Sequence, residues 1–287
     1  MGGPLLTAAV VVTALLLVLG APRVLPAWTA LRRMPGPGLL LWQSVSLAGV
    51  LCALLAAPTA VLTTGLSQPL LLGLALLLSG VMLVRLLASG HRVGTDLRRR
   101  RTRHRELVDL VGEHLDDTLA GGADGITRPD VTVLALGNPS AYCLPGHGHR
   151  IVLTRAALDR LGATELRAVL AHEQGHLDAR HDLLLELFTV LHEAVPRALR
   201  VPAALTEVQL LTEALADRIA EQRTGPTDLA RALVAMAPAA TPEVTARVRL
   251  LSHPPAPRHT RLAVTALSAV VLAIPVAVTV TLLTPGG

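Results

Sequence analysis

Hydrophobic and polar positions fall along this chain in long blocks. Residues 3–21 are apolar throughout, and residues 34–84 run for 51 positions without a charged side chain. Residues 262–284 form a final apolar run. A membrane-spanning helix uses about 20 apolar residues, so the 51-residue run holds more than one. Its middle, Pro58–Pro69 (PTAVLTTGLSQP), is rich in Thr, Gly and Pro, and a short turn is predicted there. The pattern therefore predicts four spanning helices, over about 3–21, 39–60, 69–89 and 262–284. The first run has no positive segment before it and Arg23 after it, the reverse of a cleaved secretory signal.

Between these blocks, residues 90–261 carry mixed polar and apolar positions. Leu107, Val108, Leu110, Val111 and Leu115 form a helical stripe over Glu106–Leu119, broken by Gly121, Gly122 and Gly125. Val131–Leu136 and Arg150–Leu153 read as strands, and the GNPSAYCLPGHGH between them reads as a loop. Helical patterns follow over Ala156–Leu161, Thr164–Arg180, Leu183–Leu199, Leu205–Glu221 and Thr227–Ala237. The predicted fold class is mainly α with a small β element: a polytopic membrane protein with four transmembrane helices and one water-facing domain. Its domains are 1–89 with three helices, 90–261, and 262–287 with the fourth helix.

Charge sharpens this picture. All 21 acidic residues lie between Asp96 and Glu243, and all 26 basic residues are arginine. Outside 90–261 the charges are Arg23, Arg32, Arg33 and Arg85. The middle domain holds 22 arginines against 21 acids. This near-neutral balance argues against a direct nucleic-acid partner, which would call for a basic patch. The basic flanks are loop 22–38, the run LRRRRTRHR at 97–105, and Arg258 with Arg261. With four spans they share one side if both termini are outside, and the positive-inside rule makes that side the cytoplasm. The run 98–101 also has the composition of an anionic-lipid contact, although a cytoplasmic stop signal explains it as well. Cys52 and Cys143 are too few and too far apart for a disulfide framework.

Candidate chemistry lies within Leu166–Asp182, LRAVLAHEQGHLDARHD. His172-Glu173-x-x-His176 puts two imidazoles four apart on one helix face, where both can bind a single metal ion. Glu173 falls beside the metal, placed to take a proton from water that the metal has acidified from a pKa of about 15.7 toward about 7. A catalytic zinc takes three protein ligands, and Leu211–Ala220 (LTEALADRIA) offers the third. Glu213 and Asp217 are again four apart; Glu213 is the candidate ligand. Asp217 is the candidate to accept the other N–H of a ligand histidine. His181, about 140° round a straight helix from His176, is not predicted to be a ligand. His147 and His149, in a Gly-rich loop, are a weaker possibility for metal. Tyr142, Arg218 and His253 are candidates for contact with substrate or with the oxyanion of the transition state. The strand Val131–Leu136 with its following loop offers pairing to an extended substrate, strand to strand.

The run RIVLTRAALDRLGATELRAVLAHEQGH, together with EALAD, resembles the membrane-bound gluzincin metallopeptidases. Two groups of them are similar: the heat-shock and CAAX-processing membrane proteases, and the BlaR/MecR-type antirepressor peptidases. Asn138–Tyr142 resembles the Asn-x-x-Ala-aromatic segment of both groups. Ser252-His253-Pro254-Pro255 resembles a His-Pro stretch of the heat-shock group. Three spans before the domain and one after it are similar to the BlaR/MecR type. The extracellular sensor of those receptors is expected to be absent, since the sequence stops at Gly287. The resemblance implies one zinc ion per chain on His172, His176 and Glu213, Glu173 as general base and Asp217 behind a ligand.

Together these features predict a zinc endopeptidase held in the lipid bilayer, acting on a cytoplasmic or membrane-associated protein such as a transcriptional repressor. One alternative is a general membrane quality-control protease. Another is a non-catalytic signalling or scaffold protein with a structural metal, which would not need Glu173. Cleavage within the membrane is disfavoured by Arg167, Asp178, Arg180 and Asp182 close to the motif.

Overall fold

A computed structural model describes residues 2–114, 130–144, 150–237 and 241–284. It is mainly helical with one small sheet, as predicted. The helices are α1 (Gly2–Leu15), α2 (Ala21–Val24), α3 (Pro35–Thr63), α4 (Pro69–Val111), α5 (Arg155–Arg160), α6 (Ala163–Asp178), α7 (His181–Ala194), α8 (Pro202–Thr224), α9 (Pro226–Met236), α10 (Pro242–Leu251) and α11 (Arg258–Leu283). The strands are β1 (Glu113–His114), β2 (Asp130–Leu134), β3 (Ala141–Leu144) and β4 (Arg150–Thr154). Contacts divide the chain into two units. One is Met1–Gly94, Leu185–Leu211 and Ala256–Gly287; the other is Thr95–Leu184 and Thr212–Pro255.

Among the described residues four helical segments are long and apolar enough to cross a membrane: Gly2–Ala27, Pro35–Thr63, Pro69–Val111 and Arg258–Leu283; all but 95–111 belong to the first unit. Helix α3 is the central one: half of its most apolar window is buried, against about a fifth in each of the others. Its buried positions are often small, with Ala48, Ala53, Ala56 and Ala60 fully covered. Small residues let helix backbones approach closely, which is how helices associate where no water drives them together. Gly49 shows how close: a Cβ there would stand 2.9 Å from Val18 Cγ2.

The predicted turn at Pro58–Pro69 is displaced. Helix α3 runs through Pro58 to Thr63, and the chain turns at 64–68. Proline breaks a helix by removing an N–H and crowding the carbonyl four residues back. Here Ser79 of α4 repairs the ladder. Its Oγ accepts from Ala57 N at 2.9 Å and donates to Ala53 O at 2.7 Å. A polar side chain from a neighbouring helix thus keeps the backbone groups paired.

Residues 185–211, which the sequence pattern assigns to the water-facing domain, pack with the apolar helices. Phe188 meets Trp42 edge to face at 5.9 Å. The last carbonyls of α7 have no helical partners of their own. Arg85 donates to Ala194 O and Val195 O at 2.7 and 3.0 Å, and Arg200 donates to Glu193 O and Val195 O at 2.7 and 2.8 Å. Arg32 forms a two-pronged pair with the buried Glu207, at 2.8 and 2.6 Å.

In the second unit the sheet order is β1-β2-β4-β3. β2 and β4 are parallel, with Val131 opposite Ile151; β3 runs antiparallel to β4, with Cys143 opposite Ile151. Ile151, Val152 and Leu153 of β4 are fully buried. The Thr154 hydroxyl accepts from Ala157 N at 3.3 Å and so starts α5. Helix α6 packs on β3 and α9, burying Ala168 and Val169 in a core with Leu153, Ala220, Leu229 and Leu251.

Other boundaries differ from the sequence pattern. The two predicted strands are present, but β1 and β3 are additional; β3 lies inside the segment read as a loop. Glu106–Val111 is the end of the unbroken α4, not a separate helix. The end of that predicted helix and the glycines after it lie outside the described residues, as do His147 and His149. Helix α7 stops at Ala194 rather than Leu199, just before Pro196. Helix α10 is additional too.

Candidate metal centre

Three elements of the second unit carry the predicted chemistry to one place. Helix α6 holds His172, Glu173 and His176, and α8 holds Glu213 and Asp217. Gly175 lets the two helices close up, since a Cβ there would already touch Ile219 at 3.4 Å. The third element is α10, from which Arg247 enters.

Nε2 of His172 lies 3.1 Å from Nε2 of His176. Glu213 places Oε2 3.4 Å from the His172 nitrogen and Oε1 3.4 Å from the His176 nitrogen. All three residues thus offer a ligand atom within 4.8 Å of the others. Metal bonds of about 2.0–2.1 Å arranged tetrahedrally put neighbouring donors about 3.3 Å apart. The donor set therefore fits a tetrahedral divalent cation as it stands. Charge points the same way. Glu173, Glu213 and Asp217 gather around Arg247, so ionisation of all three carboxylates leaves two negative charges that a divalent cation balances.

Each donor is held from behind. Nδ1 of His172 is 3.0 Å from Asp217 Oδ1. The carboxylate can only accept, so Nδ1 carries a proton and Nε2 faces the centre, where a bound cation would displace the second proton of the imidazolium. Burial pushes the His172 imidazole down, but the bonds to Asp217 and Glu213 outweigh it and hold the pKa at about 9. Asp217 in turn accepts from Arg247 Nε at 2.8 Å and Nη2 at 2.7 Å. Arg247 Nη1 reaches Glu213 at 2.9 Å. Burial alone would raise both carboxylates; the contacts with Arg247 and His172 instead pull Glu213 and Asp217 down to about 2.

His176 has a different support. Its Nδ1 is 2.9 Å from Nδ1 of His181. The straight-helix expectation for His181 does not hold, because α6 ends at Asp178 and Arg180 takes a left-handed backbone with φ of 48°. The chain reverses there and returns His181 to the back of His176. His181 is buried and His176 largely so, and this desolvation lowers each to about 4, so both are neutral near pH 7.

Glu173 is buried, which raises its carboxyl to about 7. The nearby backbone of Cys143 on β3 and the positive charges of His172 and Arg247 temper that rise. The Cys143 thiol is pushed up to about 12, by burial first and by the Glu173 charge next. The substrate-pairing expectation for Val131–Leu136 and its following loop is corrected in its strand half. β2 lies inside the sheet, between β1 and β4. β3, from the loop that follows β2 in sequence, is a strand at the sheet margin, and its Cys143 lies near Glu173.

The remaining predicted residues are engaged elsewhere. Tyr142 Oη is 2.9 Å from Nε2 of His104. Arg218 donates to Glu221, Leu250 O and His253 O at 2.7–2.9 Å, fastening α8 to the end of α10. The His253 side chain is exposed, with Nδ1 2.7 Å from Arg249 O.

Arg247 was not predicted as a site residue. The one local signal was Thr241-Pro242-Glu243, a helix start with its Thr cap and Pro in the first turn.

Residues 113–264 match the model of peptidase family M48. The chain belongs to peptidase family M48. The match includes every residue of the His172, His176 and Glu213 cluster. M48 peptidases are metal-dependent, in accord with the donor set. The chain is also similar to a "Protease HtpX homolog" of Picrophilus torridus, with 39% identity over 83 residues. That stretch is 28% of this chain and 25% of the relative, so only about a quarter of the relative's length is matched. No solved structure matches the chain.

Proposed function

We propose that this M48 member is a membrane-anchored zinc endopeptidase. The observation that carries this is the convergence of His172, His176 and Glu213, with Glu173 buried beside them. Two imidazoles and a carboxylate form a donor set that suits zinc. Zinc bound there would acidify water and polarise the scissile carbonyl.

The chain's own groups do the rest. Glu173 takes the proton of the attacking water and passes it to the leaving amine. A carboxyl near 7 suits both directions of transfer. Asp217 and His181 orient the two ligand histidines. The margin of β3 aligns an extended substrate by backbone pairing.

Residues 90–261 form the peptidase domain between the spans of 1–89 and 262–287. The arginine flanks favour both termini outside and the domain in the cytoplasm. Its substrate is a cytoplasmic or membrane-associated protein. The order of three spans before the domain and one after it favours the BlaR/MecR type and a repressor as target.

The test uses the full chain in detergent with fluorescent casein. Glu173→Gln should lower cleavage about 10³-fold while bound zinc stays at the wild-type level. Cleavage at the wild-type rate in that variant would remove Glu173 from the mechanism.

A further inference from the structure

The second unit contains a cleft of about 580 Å³ that the reading above does not use. Arg98, Arg101 and Arg105 of α4 line it. They are three and four positions apart and share one helix face. Arg180, from the turn between α6 and α7, lines the same cleft. Arg180 is also the one non-glycine described residue with a positive φ. That position after a helix end normally goes to Gly or Asn, so an arginine is kept there against backbone strain.

Three carboxylates line the cleft as well, but two have arginine partners. Asp182 lies 3.5 Å from Arg101, and Asp109 is held by Arg150 of β4. With Glu106 as the third, the described residues set four lining arginines and Arg150 against three carboxylates, an excess of positive charge among them.

We propose that this cleft binds a phosphate group, carried by an anionic lipid headgroup or as free phosphate. Guanidinium groups match phosphate oxygens in pairs. The volume exceeds a bare phosphate and accommodates a glycerol-linked one. Arg98 follows the third predicted span, 69–89, by nine positions in sequence, close to where headgroups lie. A diffuse attraction of the whole basic run is a separate effect. Arg99 and Arg103 belong to that run but do not line the cleft, and they provide the control.

The experiment is a phosphorus NMR titration of the full chain in a neutral detergent at about 0.15 M salt. The probes are dihexanoylphosphatidylglycerol and inorganic phosphate. Saturable line broadening is expected, weakened roughly tenfold or more in Arg98→Gln/Arg180→Gly and unchanged in Arg99→Gln/Arg103→Gln. Arg180→Gly relieves the left-handed backbone, so the fold is retained. Arg98→Gln alone, at an exposed position, should show a smaller loss. Saturation by the lipid alone assigns a headgroup; saturation by both, with mutual competition, assigns the phosphate itself. No saturation with either probe overturns the site. Equal weakening in the two double variants overturns it too, leaving only diffuse attraction.

Discussion

Both units tie arginines into their interiors, buried only in the second, and they use them in opposite ways. In the apolar unit Arg85 and Arg200 end on the carbonyls that close α7, and Arg32 is matched to Glu207 alone. There the guanidinium groups end on backbone carbonyls or on a single carboxylate. In the second unit Arg247 holds two carboxylates while His172, His176 and Glu213 keep donor atoms turned toward one point. Polar burial completes backbone in the first unit and builds an incomplete coordination shell in the second. Buried polar atoms gathered on one centre, and not their number, therefore mark the candidate site.

Removing one arginine from each unit should show the largest contrast. Arg247→Met leaves Glu213 and Asp217 buried without their cation, a loss of about 3–5 kcal/mol. Arg85→Met leaves carbonyls less well satisfied, a loss of about 1–3 kcal/mol. Unfolding of the full chain in detergent compares them, and equal losses would erase the distinction. Asp217→Asn comes next. It keeps the shape behind His172 but weakens its hold, and zinc affinity should fall about 10–100-fold with the fold intact. Unchanged affinity would make Asp217 a packing residue only. Ser79→Ala is the smallest: losing the hydroxyl beside Pro58 should cost about 1 kcal/mol and leave zinc binding untouched.

Much of this was legible in the sequence because it is local. Four-residue spacing put His172 with His176, and Glu213 with Asp217, before any fold was known. Uninterrupted apolar runs marked the four long helices. What was missed depends on contacts between distant segments. Arg247 is one of 26 arginines, and only the meeting of α10 with α8 singles it out. His181 was misplaced because α6 ends without a glycine to announce it. Strand β3 has four residues and depends on β4 for its pairing. Pro58 reads as a turn until Ser79 is seen repairing the helix.

The most direct test is metal content. The full chain, purified in detergent without chelators, should carry close to one zinc ion per molecule, and Glu213→Ala, equally folded, should carry much less. A folded wild type without metal, or a Glu213→Ala variant that keeps its full equivalent, would contradict a centre built from His172, His176 and Glu213.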